Sequence, residues 1–272
     1  MDLPMIIRYL VVFTAFLYLS ACDSGPNFAA LCKENPEICE EFTEDSWCKR
    51  ERIAVGIANV EAKLSPNNDL PKFNQLIAYE GYEKCISHAA KIEHIKLKEK
   101  KTRRINNMIL ARARIEELTQ STKGSEHPRL LYYHWTRELD EQALEKFLAL
   151  EGTKALETSE SQYELATYYI KRDPTKTLQL LFRSLELLED STDINDEVFK
   201  SLSSIFAKKN KAKQAYIWLK VLSLYDPEDP VLNHNALENY IATHDLDYEF
   251  LDQVAEATLN KIESLQFIAP KF

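Results

Sequence analysis

The sequence predicts an all-α protein, with a disulfide-stapled N-terminal helical region followed by a superhelix of repeated helix pairs. Three observations carry this. Five glycines occur in 272 residues, where average usage near 7% would give about nineteen, so tight hairpins are scarce. Proline together with Asn or Asp punctuates the chain instead, as helix boundaries do. Finally, Ala143, Thr177 and Ala215 sit inside helix-like runs 34 and 38 residues apart, and self-similarity at such a period marks stacked helical repeats. With 45% hydrophobic and 28% charged residues, the chain can fill one large helical domain or two small ones.

Residues 1–21 read as an export signal. Arg8 supplies positive charge, Tyr9 to Leu19 an apolar run too short to span a bilayer, and Leu19-Ser20-Ala21-Cys22 a small-residue cleavage site. That tetrapeptide resembles the bacterial lipobox, which implies lipidation at Cys22 and attachment to the membrane through the N-terminal lipid. Each buried acyl CH₂ adds roughly 0.8 kcal/mol to such an anchor. An ordinary cleaved signal with a chance cysteine is the competing reading. Asp2 is unusual ahead of the positive charge, and Met5 would make a more usual start than Met1. Asp23, second in the mature chain, resembles the retention signal of enteric-type lipoproteins and so favours the inner over the outer membrane, with the protein facing the periplasm. The net charge is -9.

Residues 22–70 form a Cys-containing helical region. Cys32, Cys39, Cys48 and Cys85 remain after Cys22, and an even number in an exported chain points to two disulfides with three pairings open. Proximity favours Cys32 with Cys39 around Asn35-Pro36, leaving Cys48 to staple this region to the helix of Cys85. A zinc site would need a C-x-x-C pair that is absent. Phe42, Trp47, Ile53, Val55, Ile57, Val60 and Leu64 suggest two short helices, ended by the loop Ser65 to Pro71.

Residues 71–124 read as a long, partly basic helical segment with Gly81 as its weak point. Lys91 to Arg114 holds nine Lys or Arg against Glu93 and Glu99. Such a stretch suits anionic headgroups or cell-wall carboxylates. It equally suits a solvated helix bridging two packed units, because its charges spread around the whole circumference. Export excludes nucleic acid as a partner.

Gly124 to Pro128 marks a boundary, after which residues 125–230 carry the repeats. Leu202, Ser203, Phe206, Ala215, Leu219, Leu222 and Pro227 follow the apolar, small, aromatic, small, apolar, apolar and proline order of the tetratricopeptide repeat, and Leu165, Ala166, Tyr169, Thr177, Leu181 and Ser184 nearly do. Asp140 is placed to cap one helix and Gly152 to close it, Ser159-x-x-Gln162 forms a capping box, and Asp173-Pro174 and Asp229-Pro230 pair an N-cap with proline. Residues 231–272 supply capping helices, the last with Leu251, Val254, Thr258, Ile262 and Leu265 on one face. By that resemblance, the inner surface falls on Tyr132 and Trp135, then Tyr163, Thr167, Ile170 and Lys171, then Lys200, Ser204 and Lys208. Aromatics and lysines in a groove suit an extended peptide with an acidic group or free C terminus. They equally suit core between repeats, with solvated lysines outside it.

Catalytic and cofactor signatures are missing. The six histidines include no H-E-x-x-H, and there is no G-x-S-x-G elbow and no glycine-rich phosphate loop. No cofactor, metal or catalytic residue is therefore expected, and the chain is expected not to be an enzyme. Asn35-Pro36-Glu37-Ile38-Cys39, Trp47-Cys48, His134-Trp135, and the runs Leu156-Glu157-Thr158, Ala166 to Tyr169 and Lys171-Arg172-Asp173 resemble a family of bacterial lipoproteins described as a domain of unknown function. The resemblance spans nearly the whole mature chain and implies no activity. The expected function is a protein-protein interaction scaffold of the bacterial cell envelope, its partner an envelope protein or peptide. The alternative is an envelope hydrolase or cell-wall-polymer-binding enzyme, which requires convergent carboxylates in a pocket.

Overall fold

The computed structural model describes residues 28–39, 41–93, 97–232 and 235–270, with the Cys39 side chain outside that set. Residues 1–21, read as an export signal, together with Cys22 and Asp23, also lie outside the described residues. Among those described, thirteen α-helices and no strand occur, and no helix is long and apolar enough to cross a membrane. The chain divides between Lys123 and Gly124 into two compact units.

The first unit contains α1 (Phe28–Glu34), α2 (Pro36–Cys39), α3 (Lys49–Leu64), α4 (Asp69–Ala90) and α5 (Lys98–Ser121). Helix α4 packs against both α3 and α5. Asn68 starts it by accepting a hydrogen bond from the Leu70 amide at 3.1 Å, which satisfies one of the donors a helix leaves orphaned. Gly81 does not interrupt it. The single long helical segment expected after residue 71 is instead two helices, α4 ending at Ala90 and α5 beginning at Lys98. Folding back lets Ala111 of α5 join Tyr82, Ile86 and Ala89 of α4 in one core, whereas a continuous helix would leave both apolar faces in water.

Part of the basic stretch is held within the first unit, while Lys98 and Arg103 stay exposed. Arg104 is 2% exposed and donates to Asp45 through Nε at 2.7 Å and Nη2 at 3.2 Å, and to the Ala89 carbonyl through Nη1 at 2.8 Å. One turn on, Asn107 accepts from the Thr43 amide at 3.1 Å and donates to the Thr43 carbonyl at 2.7 Å and to the Tyr82 hydroxyl at 3.0 Å. Asn107 supplies the partners that the non-helical backbone at Thr43 cannot give itself, while Arg104 ties the Asp45 side chain to the end of α4. Arg112 pairs with Glu83 at 2.7 Å and Arg114 with Glu41 at 2.6 Å. Cys48 and Cys85 form a disulfide across 37 residues. Cys32 is also disulfide-bonded, and its expected pairing with Cys39 falls on a side chain outside the described residues. At Gly56 a Cβ would lie 2.5 Å from Cε2 of Phe28, so glycine allows α1 to approach α3.

The second unit is a succession of helical hairpins: α6 (Pro128–Glu138) with α7 (Glu141–Ala149), α8 (Ser159–Tyr169) with α9 (Pro174–Glu186), and α10 (Glu197–Lys208) with α11 (Ala212–Tyr225). Helices α12 (Ala236–His244) and α13 (Tyr248–Glu263) follow. Asp140 and Asp173 cap α7 and α9 through their side chains, with Pro174 at the first helical position. The cap of α8 is Thr158, one residue ahead of the expected box, while Gln162 donates to the Leu156 carbonyl at 2.8 Å. Asp229 caps no helix; it accepts from the Val231 amide at 2.8 Å in a turn. Turns are made with few glycines because Leu139, Asn210 and Asp245 adopt left-handed backbone at the hairpin bends. Leu178, Phe182, Phe199, Leu202, Trp218 and Leu222 form the main core. Helix α13 buries Leu251 and Ile262 as expected, but Ala255 and Leu259 in place of Val254 and Thr258, and Leu265, just beyond its end, is exposed.

Candidate functional site

The expected binding residues lie on the first helices of the hairpins. Tyr132 and Trp135 are on α6, Tyr163 and Thr167 on α8, Lys171 just beyond it, and Lys200 and Lys208 on α10. The Tyr132 hydroxyl is hydrogen-bonded to Thr167 Oγ1 at 3.1 Å, and the Trp135 and Tyr168 rings meet edge to face at 5.7 Å. These two contacts set α6 and α8 side by side, with half-buried aromatics between core and solvent. Burial pushes the Tyr132 phenol above its ordinary range. It pushes Tyr163 up to about 12, with Glu197 and Asp196 adding to the effect.

The lysines differ among themselves. Lys171 and Lys208 are exposed and make no ion pair among the described residues. Lys200 is already neutralised by Asp196 at 2.9 Å, Glu197 at 2.7 Å and Asp229 at 2.7 Å. Burial alone would lower its pKa, and these carboxylates raise it instead. Asp196 and Asp229 cluster with Asp226, their oxygens within 4.8 Å of one another, and the Lys200 ammonium supplies the cation there. Sequence reasoning missed Tyr168 and Arg172 as part of this face. Arg172 stacks 4.1 Å above the Tyr168 ring. The run Tyr168-Tyr169 was visible, but that Tyr168 faces Trp135 depends on how α6 and α8 pack.

Each unit also contains a concavity. In the first unit a polar cleft of about 560 Å³ is lined by Glu37, Glu41, Asn59, Gln75, Tyr79, Arg114 and Glu117, among others. Each carboxylate there already meets a cation: Glu37 meets Lys63 at 2.8 Å, and Glu41 and Glu117 meet Arg114 at 2.6 and 2.7 Å. Tyr79 donates to Glu41 at 2.7 Å, and burial raises its phenol further. Lys63 holds the Glu37 carboxyl below the usual range. In the second unit a more apolar cavity of about 500 Å³ is walled by residues of α9, α10, α11 and α13 and by the C-terminal segment.

These features define an all-α protein of two compact helical units, one stapled by Cys48–Cys85 and the other built from successive hairpins. The chain belongs to the family described as protein of unknown function (DUF2989), whose sequence model matches residues 19–220. No curated protein and no solved structure matches it.

Proposed function

We propose that this protein is a lipid-anchored, periplasm-facing scaffold of the bacterial cell envelope that binds a protein partner through the first helices of its hairpins. The observation that carries the reading is the row of half-buried aromatics shared by α6 and α8, Tyr132, Trp135 and Tyr168, flanked by Arg172 and the exposed Lys171. Rigid aromatics with an adjacent cation suit an extended segment carrying an acidic group. The lipobox at Cys22 supplies the anchor and Asp23 the bias toward the inner membrane. Crosslinking in cells, followed by recovery of the protein, tests the scaffold role. A specific envelope protein should be captured by the native chain and lost with Trp135→Ala and Lys171→Glu. Equal capture by all three would refute the face, and mass spectrometry showing an unacylated mature N terminus would refute the anchor.

A second reading, binding of a cell-wall polymer, rests on the polar cleft, where Asn59, Gln75 and Tyr79 stand beside Glu37, Glu41 and Glu117. Pull-down on purified peptidoglycan, with Asn59→Ala and Gln75→Ala as variants, tests it.

A further inference from the structure

The cavity of the second unit differs from the first-helix face in position and chemistry. Phe182 of α9, Phe206 of α10, Ile217 and Trp218 of α11 and Val254 of α13 line it. The C-terminal segment forms a further wall: Phe267 stacks on Phe182 at 6.1 Å and meets Trp218 edge to face at 6.2 Å. The Ala269 amide donates to Glu186 at 2.8 Å, which holds that segment in place. The volume, about 500 Å³, lies within the range of small-molecule sites, roughly 300–1,000 Å³.

Its polar groups are few and one-sided in charge. Lys211 and Lys261 line the cavity and make no ion pair among the described residues, in a chain of net charge -9. No acidic side chain lines it among the described residues. Lys211 precedes α11, whose first turn has no acidic residue and no side-chain cap, so the local field favours an anion. The remaining polar lining is Gln214 and Thr258, and the Thr258 hydroxyl already donates to the Val254 carbonyl at 2.7 Å. An extended peptide would bury several backbone amides and carbonyls here with few partners. An acyl chain has no such groups to satisfy.

We propose that this cavity binds a fatty acid, its chain against Phe182, Phe206, Ile217 and Trp218 and its carboxylate toward Lys211 and Lys261. The site is independent of the scaffold role and of the Cys22 anchor. Each methylene buried strengthens binding by about fourfold, so dodecanoate should bind up to about fifteenfold more tightly than decanoate. Two exposed ion pairs together contribute about tenfold.

The test is a titration of the soluble mature chain with decanoate and dodecanoate below their micellar concentrations, read by calorimetry and by tryptophan emission. Dodecanol and dodecyltrimethylammonium serve as head-group controls. One saturable site, at least tenfold weaker for the cationic amphiphile and for Lys211→Glu/Lys261→Glu, is the expected result. Thr258→Trp, at a partly exposed position of the lining, should abolish it with the helical circular dichroism unchanged. Trp218→Phe should keep binding and remove most of the emission change. Absence of saturable binding, no chain-length dependence, or equal affinity in the charge-reversed variant would overturn the proposal. Concentration-dependent dimerisation that shields Trp218 would overturn it too, by assigning the cavity to a second copy of the chain.

Discussion

Removing Asp45 isolates the most buried charge in the first unit. Arg104 and Asp45 are 2% and 6% exposed, and without the carboxylate the guanidinium keeps, of these bonds, the one to the Ala89 carbonyl. Leaving a buried charge without its partner costs about 3–5 kcal/mol, a large part of the roughly 5–15 kcal/mol that holds a domain folded. Asp45→Leu should therefore destabilise the first unit by about that amount. Asp45→Leu/Arg104→Met removes both charges and should recover at least about 2 kcal/mol of it, because no buried ion remains. Burial pushes the Asp45 carboxyl up, but the Arg104 guanidinium and the Trp47 amide outweigh it and hold the carboxyl below its usual range. A depressed acid stabilises above its unfolded pKa, near 3.9, and that contribution is lost as pH falls through the native value. Wild type should accordingly lose more stability than the double variant between about pH 4 and 2. Urea unfolding by circular dichroism and by Trp47 emission is the assay, since the Arg104 guanidinium lies 5.9 Å from that ring. A single-variant cost under about 1 kcal/mol, or additivity of the two substitutions, would refute the reasoning.

Reduction of Cys48–Cys85, or Cys48→Ser/Cys85→Ser, releases a loop spanning 37 residues; the chain-entropy relation gives a loss of about 4 kcal/mol, measurable as a lower urea midpoint for the first unit. Glu164 is buried, its Oε1 2.9 Å from Arg129 Nε and its Oε2 without a hydrogen bond among the described residues, and burial pushes its carboxyl up to about 8. A raised acid stabilises below its unfolded pKa, near 4.3, and loses that contribution as pH rises toward 8, so thermal melts should show the second unit weakening over that window and Glu164→Gln should flatten the dependence. Leu139 is 78% exposed with φ 56°, a strained conformation for a branched side chain; Leu139→Gly should raise stability by about 0.5–1 kcal/mol, read as a higher melting temperature.

Local chemistry made several elements legible in the sequence. The scarcity of glycine and the Asp140 and Asp173 caps each act over a few residues of chain, so helices of the second unit could be placed from them. Proximity along the chain also favoured Cys48–Cys85, because it left those two cysteines to pair. The break between α4 and α5 was not legible. No proline between Ala90 and Lys98 forbids helix; two separate helices form because their apolar faces gain more against each other than in water.

The functional surfaces divide in the same way. Sequence alone named Tyr132, Trp135, Tyr163, Thr167, Lys171, Lys200 and Lys208, since a repeat assigns positions. Tertiary structure decided what each one meets: Lys200 is enclosed by Asp196, Glu197 and Asp229, Tyr168 faces Trp135, and Arg104 is buried on Asp45, although all the charges were visible beforehand. It also assembled the apolar cavity from α9, α10, α11, α13 and the C-terminal segment. Helix type and boundary depend on neighbours within a turn or two, which the sequence lists in order. The partner of a charge and the walls of a cavity depend on residues tens of positions away, and packing alone brings those together.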